Sequence, residues 1–153
     1  MSGQICMAKE GKYLTFSLGD QDYDVEILKV REIIGMLNIT IVPKVPAYVK
    51  GVINLRGKVI PVIDLRLKFG MPTRDVTSET CIIIINMNDA LMGIMVDSVK
   101  EVLNLKQENI ENVPNFGTHV HTDYILGIGK INDSVKILLH IEKILGEDLT
   151  MTG

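Results

Sequence analysis

The sequence has no tryptophan, only two cysteines and no long hydrophobic run. Aromatic residues make up 5% of the 153 residues, whereas apolar residues together reach 46%, so the apolar content is mainly Ile, Val and Leu. Such residues favour β-strands, and a chain of this length is enough for one medium domain or two very small ones. Cys6 and Cys81 are too few for a disulfide framework, and we expect both to be reduced thiols.

An excess of positive charge is also missing. The formal net charge is −3, which gives no reason to expect nucleic acid or an anionic membrane surface as a partner. The N-terminus has no basic region followed by an apolar run of signal-peptide length. The most apolar run, residues 81–85, is too short to span a bilayer. We therefore predict a cytoplasmic protein.

The chain contains an internal repeat. Residues 48–70, with the sequence YVKGVINLRGKVIPVIDLRLKFG, align without a gap with residues 124–146, YILGIGKINDSVKILLHIEKILG, at an offset of 76. Both segments begin with a Tyr-x-x-Gly motif and end on glycine. We therefore predict one domain over residues 12–146, with related halves at about 12–80 and 81–146 that pack around a shared core because each is too small alone.

Short strands at close spacing, with turn signals between them, favour small barrels over a parallel sheet. The predicted fold is therefore mainly β, with about five strands in each half and a few short helices. Exchange of a strand between the halves would move their boundary. Residues 1–11 and 147–153 lie outside the repeat, and we expect them to be flexible tails.

Local turn and cap signals place several elements. Arg56 and Gly57 are predicted to form the turn of a β-hairpin, since glycine supplies a positive φ there. Asp64 is predicted to cap a short helix after the hairpin. Residues 28–34 are predicted to form a short amphipathic helix, and residues 98–103 take the same place in the second half.

No catalytic motif is found in the sequence. In a phosphate-binding P-loop, four residues separate the first glycine from Gly-Lys-Ser/Thr. Here five residues separate Gly51 from Gly57, and Val59 stands where the hydroxyl residue should be. The chain also has no Gly-x-Ser-x-Gly and no Cys-x-x-Cys motif. We predict that the protein is not an enzyme and needs no cofactor.

The segment HVHTD contains the only cluster of metal-type ligands. In an extended segment, His119, His121 and Asp123 would project to one side, which a metal could use. A polar loop beside a strand explains the same residues, and no fourth ligand is apparent nearby. We therefore predict no metal site.

The hairpin contains polar residues that its fold does not require. The otherwise apolar segment contains three polar residues, Asn54, Arg56 and Lys58. An arginine in a turn usually lies in solvent and has no function. The corresponding turn of the second half, Asn132 and Asp133, has no basic residue. A guanidinium group on a rigid hairpin is a good anchor for a protein partner. Both interpretations remain open on the residues alone.

Residues 48–70 resemble the signature of the CheW family, the adaptors that link chemoreceptors to the histidine kinase CheA in bacterial chemotaxis. Residues 16–33 resemble the family's N-terminal block, and residues 93–103 resemble its second-half block. The resemblance covers residues 13–146, and the Asn-Leu-Arg-Gly core at residues 54–57 is a specific signal. It implies two SH3-like five-stranded barrels around a shared apolar interface.

The resemblance also implies a non-catalytic adaptor that is recruited to membrane receptor arrays through protein partners. In the family, a groove between the barrels binds the cytoplasmic tip of methyl-accepting chemoreceptors. The matching receptor-binding positions are Val30 and Glu32 on the predicted first helix, Gly51, and Arg56. Glu32 and Arg56 could pair with each other or with the receptor. A separate surface binds the regulatory domain of CheA, and we expect it at exposed apolar strand positions of the first barrel.

Two other functions remain as alternatives. A CheW-like scaffold could do the same work in another receptor-linked pathway, such as surface motility. A small-molecule or metal-binding barrel is the other alternative, and it ranks well below a scaffold. Binding to CheA and to a receptor tip fragment would distinguish the scaffold from both.

Overall fold

The computed structural model describes residues 8–114 and 123–150. In that part of the chain it contains eleven β-strands and two α-helices, with 3-10 turns at Ile27–Lys29 and Gln107–Asn109. The helices are α1 (Leu65–Lys68) and α2 (Ile141–Thr150). Cys6 and the outer parts of both predicted tails lie outside the described residues. The strands are β1 (Gly11–Leu18), β2 (Gln21–Glu26), β3 (Val30–Gly35), β4 (Val49–Leu55), β5 (Lys58–Asp64), β6 (Cys81–Met87), β7 (Ala90–Val96), β8 (Ser98–Leu105), β9 (Ile110–Glu111), β10 (Ile125–Ile131) and β11 (Ser134–Leu139).

The chain forms two compact units whose limits differ from those of the two sequence halves. Unit 1 contains the described parts of residues 1–15, 20–28 and 100–153, and unit 2 contains residues 16–19 and 29–99. Strands β6 and β7 of the second sequence half therefore belong with β3, β4 and β5 of the first. Strand pairing is the reason, because β3 pairs with β6 and β5 pairs with β7. Strands from both sequence halves therefore lie in one sheet.

Unit 2 is built on a five-stranded sheet with the order β3-β6-β7-β5-β4. Neighbouring strands are antiparallel except for β5 and β7, which are parallel. β6 lies inside the sheet, and its four isoleucines, residues 82–85, are completely buried. A strand that is covered on both faces has a continuous apolar sequence, as CIIIINM does. One apolar cluster of unit 2 consists of Ile53, Ile60, Val62, Ile82, Ile84 and Met95.

Unit 1 is built mainly on a six-stranded sheet with the order β8-β1-β2-β11-β10-β9. β2 and β11 are parallel, whereas β10 is antiparallel to both β11 and β9. The prediction of a mainly β fold with two small β subdomains is confirmed. Over the described residues, both strand orders are open and do not close into a ring. One apolar cluster of unit 1 consists of Ala8, Tyr13, Leu105, Ile110, Leu126 and Leu138.

The two short helices predicted at residues 28–34 and 98–103 are wrong. The first segment is a 3-10 turn followed by β3, and the second lies in β8. β3 shows alternating exposure, with Arg31 and Ile33 exposed and Glu32 between them partly buried. Its backbone groups pair with β6, some fifty residues later in the chain. This non-local pairing overrides the local amphipathic pattern, which fits a helix as well as a strand.

The predicted hairpin and helix cap are confirmed. β4 and β5 are antiparallel, with Leu55 opposite Lys58 at the last pair before the turn. Asp64 precedes α1, and its Oδ1 atom accepts hydrogen bonds from the backbone N–H groups of Arg66 at 3.0 Å and Leu67 at 3.3 Å. The Asp64 side chain is buried, so these bonds satisfy both the helix terminus and the carboxylate.

We predict that Asp64→Ala lowers the free energy of unfolding by about 1–2 kcal/mol, because two N–H groups at the start of α1 lose their acceptor. Asp64→Asn keeps an acceptor oxygen at the same place and should lose less. Urea unfolding followed by circular dichroism measures both variants. Equal losses for the two variants would contradict a capping role for Asp64.

Candidate functional site

The β4–β5 turn presents Arg56 at the end of the hairpin. Arg56 has a φ of 51° and Gly57 a φ of 90°, so both central residues have the positive φ of a type I′ turn. The side chain of Asn54 accepts a hydrogen bond of 2.9 Å from the Gly57 N–H. Arginine is uncommon at positive φ, whereas Asn132 and Asp133 in the matching turn are residue types that tolerate it. Turn geometry therefore does not account for the arginine.

Arg56 forms an ion pair with Glu32 within unit 2. The guanidinium Nη2 donates to Glu32 Oε1. Glu32 lies on β3 and Arg56 follows β4, and these are the two opposite edges of the five-stranded sheet. The Arg56 side chain is 69% exposed and that of Glu32 is 29% exposed. A pair with this exposure contributes at most about 1 kcal/mol to stability, so a partner can engage the guanidinium at a small energetic cost.

A small cleft lies beside this ion pair, with a volume of about 150 Å³. Three cationic side chains and one carboxylate line it, together with three aliphatic side chains. The cleft therefore carries positive charge on a chain whose formal net charge is −3. This combination suits a partner surface that offers an apolar side chain beside a carboxylate. The lining residues are Arg31, Glu32, Leu55, Arg56, Lys58, Ile60 and Leu91.

Gly51 is buried in β4 and is approached closely by another backbone segment of unit 2. Its φ is 142°, and a Cβ atom built on it would lie 2.0 Å from the carbonyl oxygen of Thr40. Thr40 forms an antiparallel bridge with Val52 through backbone hydrogen bonds of 2.8 and 2.9 Å. The protein's own chain therefore makes a close backbone approach at Gly51.

The four predicted receptor-binding residues all lie in unit 2, and two of them, Glu32 and Arg56, form an ion pair. Val30 and Glu32 lie on β3 and not on a helix, with a β-bulge between them where they oppose β6. Glu32 contacts Arg56, so the pairing of these two side chains with each other is the one present in the structure. Gly51 lies beneath Thr40, and Val30 is partly buried at the start of β3.

Sequence analysis missed Arg31 and Leu91 as members of this cleft. Leu91 comes from β7 in the second sequence half, and it joins the cleft because β7 is exchanged into the same sheet as β5. Arg31 was overlooked because a helix, and not β3, was expected there. The sequence did contain one signal for the cleft, namely three basic residues, Arg31, Arg56 and Lys58, in a chain with a negative net charge.

Large apolar side chains that are exposed on the strands are few among the described residues. In the first sequence half they are Ile33 on β3, which is 43% exposed, and Val59 on β5, which is 69% exposed. In the second half they are Val102 on β8 and Val135 on β11. Val59 and Val135 occupy equivalent positions of the repeat, so they form a matched pair for experiments.

The described part of the chain has neither a metal-binding cluster nor a helix that could cross a membrane. No group of three His, Cys, Asp or Glu residues could hold a metal ion there. His119 and His121 of the predicted ligand cluster lie outside the described residues, and Asp123 is exposed. Within 8–114 and 123–150, no helix has the length and apolar character needed to cross a membrane.

Comparison with known proteins gives consistent matches. The model of the CheW-like domain matches residues 12–149. A chemotaxis protein CheW from Klebsiella aerogenes is 39% identical over 90% of this chain and 82% of its own length. A chemotaxis protein CheW from Helicobacter pylori is 37% identical over the same shares of the two chains.

A solved structure is similar over most of its length. The crystal structure of the scaffolding protein TtCheW from Thermoanaerobacter tengcongensis has a TM-score of 0.81 and 34% sequence identity, and the match covers 89% of this chain and 92% of that one. Together with the family model, this likeness identifies the fold and its class. The chain belongs to the CheW-like family.

We predict that Gly51→Ala lowers the free energy of unfolding by about 3 kcal/mol, because its Cβ atom would overlap the Thr40 carbonyl and its φ is unfavourable for alanine. Gly35→Ala is the matched control, since a Cβ atom there has open space. It should change stability by less than about 0.5 kcal/mol. Denaturant unfolding measures both, and a small loss for Gly51→Ala would contradict the close approach.

Proposed function

We propose that the protein is a non-catalytic adaptor that couples methyl-accepting chemoreceptors to the histidine kinase CheA in bacterial chemotaxis. Family membership over residues 12–149 supports this function, as does the likeness to a solved scaffolding protein. The adaptor works in the cytoplasm, where protein contacts hold it at membrane receptor arrays. Its partners are the regulatory domain of CheA and the cytoplasmic tip of the receptor.

The receptor-binding site in this proposal comprises Val30, Glu32, Gly51 and Arg56. The observation that carries it is Arg56, an exposed arginine in a turn whose backbone geometry favours other residue types. Its guanidinium group has five N–H donors, so it can accept a receptor carboxylate beside or in place of Glu32. Gly51 contributes by letting the Thr40 segment lie against β4.

The proposed mechanism is mechanical coupling between receptor and kinase. The hairpin that carries Arg56 is paired through β5 to β7 of unit 2, so the anchor has a fixed position. A receptor bound there holds the adaptor, and through it the kinase, in one geometry. Ligand at the receptor changes the population of active kinase only if the contacts differ between the two receptor states.

We predict that Arg56→Glu weakens binding of a receptor tip fragment at least about tenfold, because an anchoring guanidinium becomes a carboxylate that repels the partner. The fold should survive, since the lost ion pair is exposed and of small energetic value. Titration calorimetry measures the affinity, and circular dichroism checks the fold. Unchanged affinity in a folded variant would remove Arg56 as an anchor.

A charge exchange is the control that separates two roles of Arg56. The double variant Glu32→Arg/Arg56→Glu restores an ion pair across the sheet edges with the charges reversed. If Arg56 contacts the receptor directly, the double variant stays as weak as Arg56→Glu. Recovery of affinity would instead mean that the internal ion pair, and not the arginine itself, is what receptor binding requires.

The kinase-binding surface is proposed to lie on exposed apolar strand positions of residues 12–80. Val59 and Ile33 are the strand residues there that meet this description. Val59 is the stronger candidate, because its side chain is 69% exposed and large exposed apolar side chains mark interaction sites when they are grouped with other contacts.

We predict that Val59→Asp weakens binding to the CheA regulatory domain at least about tenfold, because it places a charge in a contact that must be desolvated. Val135→Asp makes the same change at the equivalent position of the other half and should leave the affinity within about twofold. Binding is measured by titration with and without the receptor fragment. Equal effects of the two variants would place the kinase surface elsewhere, and binding to neither partner by the folded wild-type protein would refute the adaptor.

A further inference from the structure

Charged side chains are buried beside the apolar core of unit 1. Asp24 on β2 is completely buried, and Lys136 on the neighbouring strand β11 is 5% exposed. Asp22 holds both nearby ammonium groups, with Lys136 Nζ at 2.8 Å from its Oδ2 and Lys100 Nζ at 2.9 Å from its Oδ1. Asp24 therefore remains in the interior without an ion-pair partner among the described residues.

The carboxyl group of Asp24 is only half satisfied. Its Oδ1 accepts a hydrogen bond of 2.7 Å from the Thr15 hydroxyl on β1. Its Oδ2 is buried and has no hydrogen-bond partner among the residues that the structure describes. An ionised carboxylate in such a place loses its hydration without full replacement, which disfavours the charged form.

The groups that face Asp24 do not remove this penalty. Burial raises the pKa of Asp24 to about 6, and the negative charges of Asp22 on β2 and Glu101 on β8 act in the same direction. The Thr15 hydrogen bond and the Lys136 charge on β11 act against the rise but do not cancel it. Asp22 behaves in the opposite way. Burial opposes its ionisation, yet Lys100 and Lys136 lower its pKa below the ordinary value.

We propose that Asp24 makes the folding of unit 1 proton-coupled, so that unit 1 opens more readily when this carboxyl group is ionised than when it is protonated. The proposal rests on geometry: the carboxyl group is buried among β1, β2, β8 and β11, and only one of its two oxygen atoms accepts a hydrogen bond from the described residues. No group with this combination of burial and missing partner is found among the described residues of unit 2. Unit 2 therefore serves as an internal reference.

The direction of the pH dependence follows from linkage. The pKa of Asp24 is about 6 in the folded protein against an ordinary value of 3.8. Between these values the folded state binds more protons than the unfolded state, so the stability of unit 1 falls as the pH rises and levels off above about 6. The ionised Asp22 also stabilises the fold, because its pKa is lowered in the folded protein. That stabilisation is lost only when the pH falls below the ordinary pKa of 3.8, which is outside the pH range in which Asp24 acts.

Native-state amide hydrogen exchange at pH 5.0 and pH 7.5 tests the proposal on the full chain. After correction for intrinsic exchange rates, the protection factors of β2 and β11 amides should fall about tenfold between the two pH values, relative to those of β6 and β7. In Asp24→Asn this relative change should disappear, because the amide that replaces the carboxyl group does not titrate. Asp20→Asn, a change of an exposed carboxylate on the adjacent turn, should retain it.

A second measurement keeps the proposal testable if Asp24→Asn does not fold. The carboxyl carbon of Asp24 is followed by NMR as the wild-type protein is titrated. The proposal is supported if the Asp24 titration has a midpoint well above 3.8. The midpoint should move higher in Thr15→Val, which lacks the hydroxyl donor, and return towards the wild-type value in Thr15→Ser. A midpoint near 3.8, or a tenfold change that persists in folded Asp24→Asn, overturns it.

Discussion

The parallel pairing of β5 with β7 is the contact on which unit 2 depends. It joins the β4–β5 hairpin of the first sequence half to the β6–β7 hairpin of the second, through three residue pairs that include Val62 with Gly93. Gly93 has no room for a side chain, because a Cβ atom there would lie 2.7 Å from Ile82 Cγ2. β6 also pairs with β3 on its other side. The β5–β7 pairing therefore fixes the distance between the two sheet edges on which Glu32 and Arg56 lie.

The Arg56 turn shows how a functional residue can oppose local preference. A sequence chosen for turn stability alone would place asparagine, aspartate or glycine at this position, as the matching turn does with Asn132 and Asp133. The cost of arginine at positive φ is offset by the rest of the hairpin, which is paired along its full length and closed by Asn54. A conflict between local and global preference of this kind is expected at binding sites.

The parts of the fold that were predicted correctly depend on short-range signals. The hairpin around Arg56 and the cap at Asp64 are encoded by residues a few positions apart, so their geometry can be inferred from the sequence. β3 was mistaken for a helix because its identity depends on pairing with β6 about fifty residues away. Leu91 was missed for the same reason, because the sequence near β7 does not show that this strand pairs with β5 of the other half. Arg56 was singled out by its place in the hairpin and Glu32 by the family resemblance, and their contact came from the structure.

The division of the chain between the two units has a consequence for the order of synthesis. The segments of unit 2 end at residue 99, whereas unit 1 combines the N-terminal strands with residues from 100 onward. On a ribosome, unit 2 can be completed first, while β2 must wait for β11; the Asp22–Lys136 contact alone spans 114 residues. β2 is therefore made long before β11, one of its two neighbours in the sheet. Such long-range closure is slow, and it leaves the edge of β2 open to a chaperone or to another chain in the meantime.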